Sequence, residues 1–104
     1  MENANGEVKI KIIVDPDIGQ GRFSNLANIF HTPEEFTLDF IYLNPSPPPF
    51  GKMVSRITMT PGHAKRFLGA LQDNIRKYES QFGEIPASQQ PKPATEMVHK
   101  KDLN

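Results

Sequence analysis

Hydrophobic and polar residues alternate along the first part of the chain and then recur with helical spacing. Alternation puts every second side chain on the same face of a strand. It predicts four strands, at residues 7–14, 22–31, 36–43 and 52–59. Beyond residue 60, larger apolar residues recur at spacings of three and four, as on one face of a helix. These positions are Ala64, Phe67, Leu68, Leu71, Ile75, Tyr78 and Phe82.

Turn-forming residues separate the predicted strands. Asp15–Gly21 is rich in Asp, Pro and Gly, which favours a turn or loop. Pro33 suits the second position of a type I turn between the second and third strands. Asn44–Gly51 contains four prolines, and because proline has no N–H donor this stretch cannot continue a ladder. The chain is therefore expected to reverse direction between successive strands.

The predicted helix has recognisable ends. Thr60 is a suitable N-cap, and Pro61 occupies the first helical position, where a missing N–H costs little. Gly83 is the expected C-terminal stop. These elements predict an α+β fold, a four-stranded antiparallel meander sheet followed by one long C-terminal helix packed on one face.

The sequence predicts a single domain with peripheral ends. Residues 1–6 are polar and expected to be frayed, and residues 7–85 form the β4-α domain. Residues 86–104 are rich in Pro, Gln, Ser and Lys. Because they contain little apolar surface to offset the entropy of ordering, they are expected to form a disordered tail.

Hairpin registers that pair His31 with Phe36 and Leu43 with Lys52 support each other. They place one apolar set on the helix-facing side of the sheet, namely Ala27, Ile29, Phe36, Leu38, Phe40, Tyr42, Met53, Ile57 and Met59.

On the other side, the same registers align three polar residues across neighbouring strands, Asn28, Asp39 and Arg56. This polar row is either a ligand or catalytic site or a cross-strand ion pair that helps to set the register. The ion pair is favoured, because a lone carboxylate without a second acid or a nearby His is weak evidence for catalysis.

The side of the sheet away from the helix carries apolar residues as well. A single helix covers one side only, so these residues would form a large exposed patch. Gly69, in the middle of the helix, suggests close approach by another backbone. The candidate oligomer or partner surface is therefore Ile13, Leu26, Phe30, Ile41, Val54 and Gly69.

Composition narrows the functional classes. Twelve basic and twelve acidic residues give a net charge of zero, whereas nucleic-acid binders usually carry a basic excess. There is no Cys, and the spacing of the three histidines matches no metal motif. No signal peptide, membrane span or complete cofactor motif is recognisable. We expect a cytoplasmic protein that is not an enzyme and has no catalytic, cofactor-binding or metal-binding residues, no cofactor and no membrane association.

Three stretches carry a resemblance to a known family. They are NLANIFHT (residues 25–32), HTPEEFTLDF (31–40) and SRITMTPGHAKRFLGALQDNIRKYESQFGEI (55–85). Together they resemble an uncharacterised prokaryotic family, the domain of unknown function numbered 3467. The resemblance implies no established activity, cofactor or catalytic residue. Members in one bacterial phylum are often encoded beside the large RNA polymerase subunits, which implies a link to transcription as a hypothesis. The order of four strands and a helix is also similar to that of the export chaperone SecB.

Three functional hypotheses follow. The first is a small non-catalytic binding or oligomerisation module, a homodimer or homotetramer that could serve a larger assembly such as RNA polymerase. The alternative is a SecB-like holdase that binds unfolded chains. Third is a nucleic-acid-binding accessory protein, which the balanced charge disfavours.

Overall fold

The computed structural model describes residues 6–86 and 94–102. The chain divides into two compact units, Met1–Leu68 and Gly69–Asn104. The first unit contains the sheet and the start of the long helix, and the second contains the rest of that helix. The predictions for residues 1–5, 87–93, 103 and 104 lie outside the described residues.

The fold is α+β, as predicted. Its elements are α1 (Pro16–Gly19), β1 (Leu26–His31), β2 (Phe36–Asn44), β3 (Phe50–Met59), α2 (Pro61–Phe82) and a 3₁₀ turn (Lys100–Asp102). The strands form an antiparallel sheet in the order β1-β2-β3. The prediction of four strands was wrong, because the described sheet has three.

The missing strand is the first one, predicted at residues 7–14. Apart from an isolated bridge at Val8, this stretch belongs to no ladder among the described residues. A helical turn, α1, follows it where the sequence predicted a turn or loop. Alternation shows that a segment can pair as a strand, but pairing also requires a partner edge. Among the described residues, no strand is paired with residues 9–14.

A side-chain clamp closes the β1–β2 hairpin. The Thr32 hydroxyl oxygen accepts hydrogen bonds from the backbone N–H groups of Glu34 and Glu35, at 3.2 and 3.3 Å. The Thr32 N–H donates to the Glu35 carbonyl at 2.9 Å. This turn sets His31 opposite Phe36, which confirms the register predicted for the two strands.

Two residues before β1 extend its ladder with their side chains. The Asn25 amide donates to the Leu43 carbonyl at 3.0 Å, and its oxygen accepts from the Leu43 N–H at 2.7 Å. The Ser24 hydroxyl accepts from the Ile41 N–H at 3.1 Å. These side chains occupy positions that strand backbone would otherwise fill, so β1 is shorter than the predicted 22–31.

We predict that Asn25→Asp lowers the free energy of unfolding by about 1 kcal/mol, the usual net value of one hydrogen bond. The aspartate loses the N–H donor and places negative charge against the Leu43 carbonyl. Asn44→Asp is the matched control. The Asn44 side chain oxygen accepts from the Ser46 N–H at 3.0 Å, which a carboxylate can still do. Urea unfolding measures both variants, and equal losses would contradict this role of Asn25.

A β-bulge changes the faces of β3. Its register with β2 shifts between Phe40 and Ile41, so that Ser55 pairs with Phe40 but Met53 pairs with Ile41. Val54 is the extra residue. The prediction that Met53 shares a face with Leu38 was therefore wrong, because one extra residue reverses the alternation beyond it.

The buried core lies on the central strand. We call the two sides of the sheet the Leu38 face and the Asp39 face, after these neighbouring residues of β2. The buried residues are Thr37, Leu38, Asp39 and Ile41. Ile41 was expected on an exposed patch, and this was wrong. As a residue of the middle strand, it has a neighbouring strand on each side.

Helix α2 begins and ends as predicted. The His63 N–H donates to the Thr60 hydroxyl at 3.2 Å, so Thr60 caps the first turn. Gly83 has φ of 99°, a left-handed conformation that favours glycine. No residue of α2 is buried. Packing of its apolar stripe against the sheet stays a prediction.

Candidate functional site

The polar row contains a two-pronged ion pair. Asn28 lies opposite Asp39, and Asp39 lies opposite Arg56, in the ladders of the sheet. The Arg56 Nε donates to Asp39 Oδ1 at 2.6 Å, and Nη2 donates to Oδ2 at 2.9 Å. Parallel N–H···O bonds of this kind are strong and geometrically specific. The structure thus brings all three predicted residues into neighbouring positions on the Asp39 face.

Arg56 reaches across β2 and covers part of the Asp39 face. Its guanidinium carbon lies 5.9 Å from the centre of the Phe30 ring on β1, within reach of a cation–π contact. The Asp39 side chain is 1% exposed, whereas the Arg56 side chain is 48% exposed. The carboxylate therefore lies under the arginine, and the arginine meets solvent.

The pair changes the titration of both groups. Hydrogen bonds donated by Arg56 lower the pKa of Asp39 below its ordinary value of 3.8, against the opposing effect of burial. The same hydrogen bonds raise the pKa of Arg56. Both effects favour the charged forms, so the pair is ionised at neutral pH.

This geometry favours a structural role for the polar row. Both oxygens of Asp39 are engaged by Arg56 and shielded from solvent, which leaves little access for a substrate or an ion. In the parts of the chain that the structure describes, no three His, Cys, Asp or Glu side chains group as a metal site. The pair instead ties β2 to β3 at the centre of the sheet.

Only some residues of the predicted apolar surface are exposed. Ile13 is 92% exposed and Phe30 is about half exposed, while Leu26 and Val54 are half-buried. Ile41 is buried, so it belongs to the core. A Cβ added at Gly69 would meet no atom within 4 Å. Among the residues that the structure describes, no neighbouring backbone therefore explains that glycine.

A second apolar surface lies on α2. We call it the helix stripe. Its large side chains are between 39% and 66% exposed, and they are Phe67, Leu68, Leu71, Ile75, Tyr78 and Phe82. The sequence identified this stripe correctly but predicted it as core. The helix was also one of the surfaces predicted for self-association, and periodicity alone does not decide between the two, because it identifies an apolar face without showing what covers it.

The Leu38 face is also open at both edges of the sheet. Ile29 on β1 is 63% exposed and Ile57 on β3 is 45% exposed. Both were predicted to lie under the helix. Each of them pairs directly with Leu38. Both therefore lie on the Leu38 face, and both remain exposed to solvent.

A family model described as "Protein of unknown function (DUF3467)" matches residues 1–87. The chain belongs to this family. The match confirms the resemblance found in the sequence, and the family description supplies no activity. No curated protein and no solved structure gives a significant match, so the similarity to SecB is not supported. Among the described helices, none has the length and apolar character needed to cross a bilayer.

Proposed function

We propose that this member of the family is a non-catalytic protein-interaction module that works as a homo-oligomer. The observation that carries the proposal is the exposure of the helix stripe, six large apolar side chains on one face of α2. Scattered apolar residues are normal on protein surfaces, but a contiguous face of them marks an interaction site.

The polarity of α2 supports the same proposal. Its other positions include charged residues such as Lys65, Arg66, Asp73 and Lys77, so the helix is amphipathic rather than apolar all round. An amphipathic helix is stable when its apolar face is covered. A second copy offers an identical face, and two such faces can pack against each other around a twofold axis.

A holdase is the second candidate, because an open apolar surface would also suit unfolded chains. The two functions make different demands on the surface. A self-associating module covers its apolar face in the assembled state, whereas a holdase must keep apolar surface available to many clients. An accessory role in a larger assembly such as RNA polymerase would require a dedicated partner in addition to self-association.

Sedimentation velocity across the micromolar range tests self-association, and we expect an oligomer. A strict monomer at high micromolar concentration would contradict the proposal. Suppression of aggregation of an unrelated unfolded protein, at near-stoichiometric ratio, would decide for the holdase. Affinity capture from native lysate then identifies a dedicated partner, for which polymerase subunits are the specific expectation.

A further inference from the structure

We propose that the end of the sheet farthest from the β1–β2 turn binds single-stranded nucleic acid by stacking bases on aromatic rings. The rings are those of Phe23, Tyr42 and Phe50, which we call the aromatic platform, and the cations beside them are Arg22 and Lys52. This surface shares no residue with the helix stripe. The inference therefore goes beyond the proposed self-association and does not depend on it.

The three rings of the aromatic platform are neighbours. The ring of Phe23 meets the ring of Tyr42 edge to face, with the ring centres 6.2 Å apart. Tyr42 pairs with Lys52, and Phe50 pairs with Asn44 two residues further along. Phe50 is therefore a diagonal neighbour of Tyr42 on the same face, at a separation of about 7–8 Å that aromatic side chains can bridge. The rings form one patch at this end of the Leu38 face.

Solvent reaches all three rings. Phe23 is 70% exposed, Phe50 is 55% exposed and Tyr42 is 39% exposed. All three belong to the same compact unit, residues 1–68. Exposed aromatic rings in single-strand binding proteins act as platforms on which successive bases stack. Because every base has a flat face, such stacking tolerates many sequences.

The charge around the aromatic platform favours an anionic partner. Arg22 and Lys52 are both exposed, and neither forms an ion pair within the part of the chain that the structure describes. The rings and both cations come from two stretches, residues 18–33 and 40–72, that contain no Asp or Glu. The net charge of zero therefore conceals a local excess of positive charge, which complements phosphate groups.

A shallow groove beside the platform offers a course for a sugar–phosphate backbone. Arg22 lines this groove together with Ala27 and Phe40. Ala27 and Phe40 pair with each other, and Phe40 alternates with Tyr42 along β2, so both lie on the Leu38 face. Arg22 is thus on the same side of the sheet as the rings. From there it can contact a phosphate of a strand whose bases stack on the platform.

A single strand fits this surface better than a duplex or an apolar protein surface. The bases of a duplex are already stacked on one another, whereas unpaired bases can turn outward onto aromatic side chains. An apolar partner would have to cover Arg22 and Lys52 without offering them negative charge, which is unfavourable. A single strand supplies flat bases for the rings and phosphates for the cations.

Fluorescence anisotropy of the full chain with a labelled oligothymidylate tests stacking. The probe has about 16 nucleotides, the upper end of the site sizes of small single-strand binding domains. Phe50→Leu keeps an apolar side chain but removes the ring, so we expect the affinity to fall about 5- to 150-fold. Phe30→Leu is the matched control, because Phe30 is 49% exposed but lies on the Asp39 face. It should bind as the natural chain does.

The salt dependence of the same binding tests the phosphate contact. Lys52→Gln should weaken binding at low salt and reduce the slope of log affinity against log salt concentration by about 0.7, the value of one phosphate contact on a single strand. Lys77→Gln is the matched control, since Lys77 is an exposed lysine of α2. It should leave the slope unchanged.

Selective loss of affinity in Phe50→Leu and Lys52→Gln, with unchanged circular dichroism, would support the inference. Failure of the natural chain to bind the probe at low salt would overturn it. Equal affinities of Phe50→Leu and Phe30→Leu would also overturn it, because the platform would then have no special role. Equal affinity for a duplex of the same length would overturn stacking as the mode of recognition. Sedimentation measures self-association separately, so the proposed function stands or falls on its own result.

Discussion

Leu71→Glu in α2 should dissociate the proposed oligomer while leaving the helix formed. Leu71 lies within the helix stripe and is 47% exposed in the single chain. Full burial of a leucine is worth about 1.5–3 kcal/mol, and a glutamate there would also have to lose its hydration. In a twofold interface each substitution acts twice. We therefore expect the dissociation constant to rise by about 10- to 100-fold, given that 1.4 kcal/mol is tenfold.

Gln72→Glu is the control for this variant. It adds the same carboxylate at the next position of α2, at the flank of the helix stripe rather than within it. Sedimentation equilibrium compares the two, and circular dichroism checks that both remain helical. Equal weakening would indicate a general charge effect and contradict the role of the stripe. No weakening by either variant would assign assembly to the sheet alone.

Arg56→Met should destabilise the fold more than the loss of a surface ion pair does. Methionine retains much of the aliphatic cover over β2 but removes every donor to Asp39. The Asp39 carboxylate, 1% exposed, would then be buried without its partner, and an unsatisfied buried polar group costs about 1–3 kcal/mol. We expect a loss of unfolding free energy in that range, measured by urea unfolding at neutral pH.

Arg76→Met is the matched control. Arg76 also pairs with an aspartate, Asp73 at 3.0 Å, but both side chains are largely exposed. Such pairs contribute little, no more than about 1 kcal/mol. A double variant, Asp39→Leu with Arg56→Met, should recover part of the loss because no buried charge remains. Equal effects of the two arginine substitutions would contradict a structural role for the polar row.

The ion pair also has a defined pH signature. The pKa of Asp39 is lowered in the folded chain, so folding favours the ionised carboxylate. The stability that this shift contributes is fully present above the ordinary pKa of 3.8. It is lost as the pH falls through the lower, folded value. Asp39→Asn should therefore flatten the acid limb of the stability profile, which is measured by unfolding between neutral and acidic pH.

Local chemistry determined the features that the sequence predicted correctly. The turn that pairs His31 with Phe36, the Thr60 cap and the positive φ of Gly83 each depend on residues within a few positions of one another. For the same reason, the β1–β2 register follows from its turn, and that register places Asn28 opposite Asp39. The polar row could be predicted because a short turn sets strand pairing and strand pairing repeats every two residues.

Only the tertiary structure decided the features that depend on distant partners. The bulge at Val54 reverses the face of Met53, and the pairing of β3 with β2 decides which residue is the extra one. The side chains of Ser24 and Asn25 form hydrogen bonds with Ile41 and Leu43 across the sheet. No local sequence pattern predicts contacts of this kind. Residues 9–14 have the alternation of a strand and no ladder. Apolar periodicity identifies which faces require burial, but the surface that buries them is set by geometry between elements distant in sequence.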